Sequence, residues 1–108
     1  MADIATLRAF ALALPEVSEV VSRGEPEFLF RRKSFALQWK GRVIMRLDRG
    51  HQALLFEIRP ETFQPCKVAT VHWSYVQIGH LDDEELRRLV IEAWSTLAPK
   101  RLATTVAV

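Results

Sequence analysis

Apolar and basic side chains alternate through the stretch FLFRRKSFALQWKGRVIMRL, which runs from Phe28 to Leu47. Successive side chains of a strand point to opposite faces of a sheet, so a period of two predicts β-strands here. Two turn sequences, Arg31–Lys33 and Lys40–Gly41, divide the stretch into three strands. A glycine in the second turn can adopt the positive φ that a tight hairpin needs. The pattern therefore predicts consecutive hairpins in an antiparallel sheet.

Parity assigns the side chains of these strands to two faces. The apolar sets expected to face the core are Phe28 and Phe30, then Phe35, Leu37 and Trp39, then Val43, Met45 and Leu47. The residues expected on the opposite, solvent-facing side are Arg31, Lys40, Arg42 and Arg46.

A helix is predicted ahead of the strands, over Asp3–Leu14. Its apolar residues recur at helical spacing, and Asp3 is a suitable N-cap because its carboxylate can accept from free amides of the first turn. Pro15 ends the helix, since it disfavours the helical conformation at the preceding residue. The segment Pro15–Glu27 that follows is predicted to be a loop.

The second half of the chain predicts a short helix, a strand and a longer helix. The short helix lies between an Asp48 N-cap and Pro60, and VHWSYVQIG forms the strand. The residues of the short helix expected to point inward are Ala53, Leu54, Phe56 and Ile58.

The last helix carries a capping box. Asp82 is the expected N-cap, Glu85 stands three residues later, and Leu81 and Leu86 flank them as a hydrophobic staple. The apolar residues expected along its buried stripe, before Pro99 ends the helix, are Leu86, Leu89, Val90, Ala93, Trp94 and Leu97. The whole pattern predicts one α+β domain over residues 1–108, with N- and C-terminal helices packed on one face of an antiparallel sheet.

The composition is that of a folded soluble domain. Of the 108 residues, 49% are hydrophobic and 26% charged, and 15 Lys and Arg stand against 13 Asp and Glu. This small positive excess does not by itself indicate a nucleic-acid partner. No stretch reaches the roughly 20 apolar residues of a membrane span. The single cysteine, Cys66, excludes an internal disulfide. We therefore expect a cytoplasmic protein that does not bind membranes.

No pattern in the sequence predicts catalysis, a metal or a cofactor. The residue types that bind metals lack zinc-site spacing, and no serine or cysteine lies in a known nucleophile motif. We expect a protein that is not an enzyme and that holds no metal. The residues of metal-binding type that lack this spacing are His51, His72, His80 and Cys66.

The hairpins remain as the one candidate functional surface. Arg and Lys on a strand face can contact phosphates, but an ordinary solvated sheet face has the same pattern, and the residues alone favour that reading. The acidic residues just upstream, Glu16, Glu19, Glu25 and Glu27, can fold over the hairpins and neutralise them. The candidate nucleic-acid-binding residues are Arg31, Arg32, Lys33, Lys40, Arg42 and Arg46.

Several segments together resemble the MmcQ/YjbR family of small bacterial proteins. They are Leu14-Pro15-Glu16-Val17, Gly24-Glu25-Pro26-Glu27-Phe28, Lys33-Ser34-Phe35-Ala36, the strand residue Trp73, and Lys100-Arg101-Leu102. Arg32 stands where a glycine commonly precedes the motif lysine.

The resemblance implies an α+β fold likened to frataxin-type folds, with a double-wing arrangement described as DNA-binding. It favours double-stranded DNA, bound with weak sequence specificity, as the partner of the basic hairpins. The alternative is a non-enzymatic domain that binds a protein or a small ligand, with the basic face only solvated.

Overall fold

The alternation of apolar and basic residues does form antiparallel strands. The structure is a computed structural model that describes residues 2–66 and 73–106. The helices are α1 (Ile4–Leu12), α2 (Arg49–Ile58), α3 (Asp83–Ser95) and α4 (Lys100–Ala103), with a 3-10 turn at Ile78–His80. The strands are β1 (Val17–Ser22), β2 (Glu25–Phe30), β3 (Lys33–Trp39), β4 (Arg42–Arg46), β5 (Phe63–Pro65) and β6 (Trp73–Val76).

All six strands join one antiparallel sheet, in the order β1-β2-β3-β4-β6-β5. The first four strands are a meander of neighbours along the chain, and the connection through α2 brings β5 to the far edge of β6. The predicted α+β class and antiparallel sheet are confirmed. The predicted strand VHWSYVQIG is present in part as β6, which ends at Val76. Its first two residues lie outside the described ranges, and Ile78 and Gly79 form the start of the 3-10 turn instead of continuing the strand.

Two-residue turns connect the meander, and both central residues of each turn have positive φ. The turns are Arg23–Gly24 (55° and 80°), Arg31–Arg32 (48° and 75°) and Lys40–Gly41 (53° and 77°). Left-handed residues at both positions give the turn whose twist matches that of the flanking strands. The turns predicted at RRK and at Lys40–Gly41 are therefore confirmed.

Carboxylate caps begin the three longer helices. Asp3 accepts from the amide of Thr6, Asp48 from that of His51 at 3.1 Å, and Asp82 from that of Glu85 at 2.8 Å. Each bond satisfies an amide that the helix itself leaves unpaired. The predicted N-caps and the helical assignment after Asp48 are therefore confirmed.

The core lies between the sheet and the helices α1 and α3, which also pack on each other. Trp94 is fully buried at its centre, where its ring meets Phe30 edge to face at a centroid distance of 6.1 Å. The indole Nε1 donates to the carbonyl oxygen of Pro15 at 3.1 Å, so the one polar atom of this side chain is satisfied. Leu86 and Phe35 are buried in the same cluster.

A β-bulge in β3 overturns part of the face assignment. Phe28 pairs with Ala36 but Leu29 pairs with Ser34, so Phe35 is an extra residue between two ladder positions. Parity therefore shifts after Phe35, because a bulge inserts one residue on one strand only. Ala36 enters the core with Phe35, whereas Leu37 and Trp39 point to the opposite face. The prediction that these two share the face of Phe35 is wrong.

The segment Pro15–Glu27 was predicted to be a loop, and this prediction is wrong. The segment contains β1 and the start of β2. β1 is an edge strand with mostly exposed side chains, including Val20 and Val21. Such a strand lacks the alternation of a half-buried one, so its periodicity gives little signal. The turn dipeptide Arg23–Gly24 was the available clue.

The inward face of α2 was also mostly predicted wrongly. Gln52 and Leu55 are buried, whereas Leu54 and Ile58 are exposed, at 51% and 59%. A buried polar pair explains the difference, because Ser74 of β6 donates to the side-chain oxygen of Gln52. This satisfied polar contact places Gln52 inside and rotates the apolar residues of the helix outward.

Candidate nucleic-acid interface

The candidate basic residues lie at two ends of the hairpins rather than in one patch. Arg31, Arg32 and Lys33 stand at the β2–β3 turn, and Lys40 and Arg42 at the β3–β4 turn. β3 separates these turns and has seven residues. At roughly 3.3 Å a residue, the two ends are about 20 Å apart. Arg46 lies at the other end of β4 from Arg42.

An upstream acid neutralises Arg31. Its guanidinium donates twice to the Glu16 carboxylate, at 2.7 Å for both bonds, and its Cζ lies 4.8 Å from the centre of the Phe30 ring. The hydrogen bonds from Arg31 hold the pKa of Glu16 below its ordinary value, and the more distant charge of Arg101 acts in the same direction. Arg31 is thus fixed in a bidentate ion pair at the first central position of its turn.

Arg32 and Lys33 are exposed beside this pair. Neither side chain makes a hydrogen bond or an ion pair within the described residues. They are the cations that this turn presents to solvent.

Glu25 organises the other turn and was not assigned this role from the sequence. Its carboxylate accepts from the backbone amides of Lys40 and Gly41, at 2.7 and 2.9 Å. Glu25 directly follows the β1–β2 turn, so one side chain ties the tips of both hairpins together. The Lys40 side chain is left exposed, with its Nζ 4.8 Å from the centre of the Trp39 ring.

Arg42 is held on the sheet face turned away from α1 and α3, which we call the outer face. Its Cζ lies 3.6 Å from the centre of the Tyr75 ring, and Nη2 donates to Gln64 at 2.9 Å. Burial raises the pKa of Tyr75, and a hydrogen bond with Cys66 acts in the same direction, while the charge of Arg42 opposes both. Arg42 is thus an exposed cation that an aromatic stack holds in place.

Arg46 is half-buried on the outer face, where it pairs in register with Trp73. Its Nε is buried and has no hydrogen-bond partner in the described part of the chain. The prediction that Arg46 points away from the core is correct, but the side chain is not a freely solvated cation.

A cavity of about 300 Å³ opens on the outer face next to these residues. Its apolar wall is formed by Leu37, Trp39, Ile44, Cys66 and Trp73, and Glu27 and Arg23 line its rim. The shift of parity at the bulge creates this site, because it turns Leu37 and Trp39 away from the core. Sequence reasoning missed the cavity for that reason.

The two remaining upstream acids, Glu19 and Glu27, differ in their contacts. Glu19 forms an ion pair with Arg8 of α1 at 2.9 Å, which fastens β1 to that helix. Glu27 has no hydrogen-bond or ion-pair partner among the residues that the structure describes. Two acids, Glu16 and Glu25, therefore bind within the hairpins, and among the described residues only Glu16 forms an ion pair with a candidate side chain.

The histidines make separate contacts. His51 Nδ1 lies 2.7 Å from Glu92 Oε1, and His80 Nδ1 lies 3.1 Å from the Thr62 hydroxyl. His72 is outside the described ranges. Within those ranges, no three His, Cys, Asp or Glu side chains are placed to hold a metal ion together. Nor does any helix there have the length and apolar character needed to cross a membrane.

The family model described as YjbR matches residues 12–96 of the chain. A similar solved structure is the crystal structure of protein DR2400 from Deinococcus radiodurans, whose family-model domain is DUF419. It aligns with a TM-score of 0.77 and 18% sequence identity over 97% of this chain and 88% of the other. Similarity at this identity concerns the fold alone. No curated protein matches the chain.

Proposed function

The chain belongs to the YjbR family, and from its hairpin tips we propose that it is a non-enzymatic DNA-binding protein of the cytoplasm. The basic hairpins contact the phosphates of double-stranded DNA. The observation that carries this proposal is the exposure of Arg32, Lys33 and Lys40 at two tips, while Glu16 is paired with Arg31 and Glu25 with backbone amides.

The electrostatics of the tips support phosphate contact. Glu16 is bound to Arg31, Glu19 to Arg8, and Glu25 to backbone amides. These carboxylates are therefore not available to pair with Arg32 or Lys33. An unpaired surface cation gains free energy when it neutralises a phosphate and releases a condensed counterion.

The positions of the tips favour two separate contacts with one duplex. A separation of about 20 Å exceeds the roughly 12 Å width of the major groove, so the tips reach different stretches of backbone. The tips are turns between strands, and no helix of the described part of the chain belongs to them. Phosphate contacts fix position but carry no base information, so we expect weak sequence specificity.

The test is a titration of a labelled duplex at several salt concentrations. Three neutralised phosphates give a slope of log K against log salt of about −2.7. The double variant Arg32→Glu/Lys33→Glu removes one tip, so its slope should fall to about −0.9. Both positions are exposed, and the fold should be kept.

A matched control makes the same change of net charge on the helices. Arg49→Glu/Arg88→Glu alters two exposed cations of α2 and α3, and should leave the slope near that of the unchanged protein. Equal slopes for the tip and control variants would contradict the proposal. So would a protein that fails to bind any duplex at low salt.

The cavity on the outer face supports a second candidate, a domain that binds a small ligand. Pockets lined by apolar and aromatic side chains with few polar groups are typical ligand sites, and 300 Å³ is at the lower end of their usual size. A ligand-binding domain without DNA affinity would show no salt-dependent duplex binding in the same titration.

A further inference from the structure

Two indole rings flank the cavity on the outer face. Trp39 of β3 and Trp73 of β6 are both half-buried, and Leu37 and Ile44 form an apolar floor between them. An exposed sheet face with aromatic rings on different strands is a surface on which unpaired bases stack. The third indole, Trp94, is buried on the other side of the sheet and takes no part.

Positive charge surrounds the cavity. Arg23 lines its rim, Lys40 lies over the Trp39 ring, and Arg42 and Arg46 pair in register with Trp39 and Trp73. Glu25 lies nearby and keeps its charge, since its carboxylate accepts only from the neutral amides of Lys40 and Gly41. Four cations against two carboxylates, Glu25 and Glu27, leave the surroundings of the cavity net positive. This charge disfavours a cationic ligand and favours one with a flat aromatic body and a negative group.

We propose that this cavity binds the unpaired base of a nucleotide between Trp39 and Trp73, with the phosphate held by the surrounding cations. The inference rests on the proposed nucleic-acid function and adds a second ligand, the unpaired nucleotide or single strand. A base in a duplex is paired and stacked, and therefore cannot enter. The hairpin tips contact duplex phosphates, whereas the cavity selects nucleotides that are free or in an unpaired strand.

Glu27 adds a preference among bases. Its carboxylate lines the cavity and has no hydrogen-bond partner within the described residues, so it can accept from an exocyclic amino group. Cytosine presents such a donor and thymine does not, and acidic side chains are known to accept from that cytosine amino group. Oligo-dC should therefore bind more tightly than oligo-dT.

The experiment measures binding of oligo-dC, oligo-dT, free dCMP and a duplex by tryptophan fluorescence and by anisotropy. Oligo-dC should quench Trp39 and Trp73, and Trp39→Leu and Trp73→Leu should each weaken it at least about tenfold. Duplex affinity should stay unchanged in Trp73→Leu and should fall at most slightly in Trp39→Leu, where Lys40 keeps its charge but loses its contact with the ring. Phe56→Leu, which alters a half-buried aromatic ring of α2, is the matched control and should bind oligo-dC normally.

Glu27→Gln tests the base preference. The unchanged protein should bind oligo-dC about fivefold more tightly than oligo-dT. The variant should lose this difference in affinity, because an amide accepts a weaker hydrogen bond than a carboxylate. Circular dichroism of each variant establishes that the fold is kept. Quenching by dCMP as strong as by oligo-dC identifies a free nucleotide as the ligand, and stronger quenching by oligo-dC identifies the strand.

The outcomes separate the two proposals. Normal oligo-dC binding in folded Trp39→Leu and Trp73→Leu would overturn the base site and leave duplex binding standing. Duplex binding without any fluorescence response to oligo-dC or dCMP would also overturn the base site and leave duplex binding standing. A protein that binds neither duplex nor single strand at low salt overturns the proposed function and this inference together.

Discussion

Arg31 and Arg32 both adopt a left-handed backbone conformation, although neither is a glycine. Their φ angles are 48° and 75°, a region in which a side chain crowds the following carbonyl oxygen. Arg31 is compensated by its ion pair with Glu16 and its contact with the Phe30 ring. Arg32 is exposed and has no such contact within the described residues, so nothing there offsets the strain at this position.

Replacing Arg32 with glycine should therefore stabilise the protein. Removing the left-handed strain is worth about 1 kcal/mol, from which the greater freedom of glycine in the unfolded chain subtracts part. Chemical denaturation of Arg32→Gly should give a higher free energy of unfolding than that of the unchanged protein. Arg32→Ala removes the same charge but keeps the Cβ, and should show no gain. Equal stability of the two variants would contradict the strain argument.

The start of α3 is the element whose local sequence most directly specifies its structure. Asp82 accepts from the Glu85 amide, and Leu81 and Leu86 are buried on either side of the cap. This combination fixes both the first turn and the angle at which the chain enters the helix. Since α3 contributes the central core residue Trp94, the position of the cap matters for the whole domain.

Asp82→Ala should lower the free energy of unfolding by about 1 kcal/mol, the usual loss for an N-cap. The neighbouring exposed carboxylate gives a matched control. Asp83→Ala removes a charge of the same sign from the first turn but no cap, so it should cost only a few tenths of that amount. Thermal or urea unfolding measures both. Similar losses at the two positions would show that charge near the helix dipole, not the capping bond, stabilises this end.

At the scale of the whole molecule, Trp94 joins the helices, the sheet and the chain after α1. Its ring packs on Phe30 of β2, and its Nε1 binds the carbonyl of Pro15. A fully buried indole in such a position fills space that neighbouring side chains cannot close.

Trp94→Ala should cost about 3–5 kcal/mol, the range for emptying a large aromatic site. Trp39→Ala, on the outer face and half-buried, should cost clearly less in the same denaturation experiment. A loss below about 1 kcal/mol for Trp94→Ala would mean that α3 does not depend on this residue for its packing.

The sequence alone was enough for the helices with clear caps, the hairpin turns and the antiparallel class. Capping residues, turn residues and apolar periodicity act over a few neighbouring positions, so the local sequence contains everything that determines these helices and turns. The positions of the candidate cations were predicted in the same way, because parity and turn positions are local. The YjbR resemblance followed from the order of these same local motifs.

The contacts made at the two turns were not local. Arg31 donates to Glu16, fifteen residues earlier, and the backbone amide of Lys40 donates to Glu25 across the same interval, so both bonds depend on strands already paired. The edge strand β1 and the outward rotation of α2 also depend on neighbours, through the partner β2 and the buried Gln52–Ser74 pair.

The cavity on the outer face belongs entirely to tertiary structure. The sequence determined that Phe35, Leu37 and Trp39 stand at every second position. Only the pairing of β3 with β2 decided where the bulge falls and on which face of the sheet each side chain lies. A bulge forms where two strands with their own preferred registers must share one ladder, so no single strand encodes it. Local sequence therefore determined the strands, turns and caps, whereas strand pairing decided which side chains form the core and which form the candidate site.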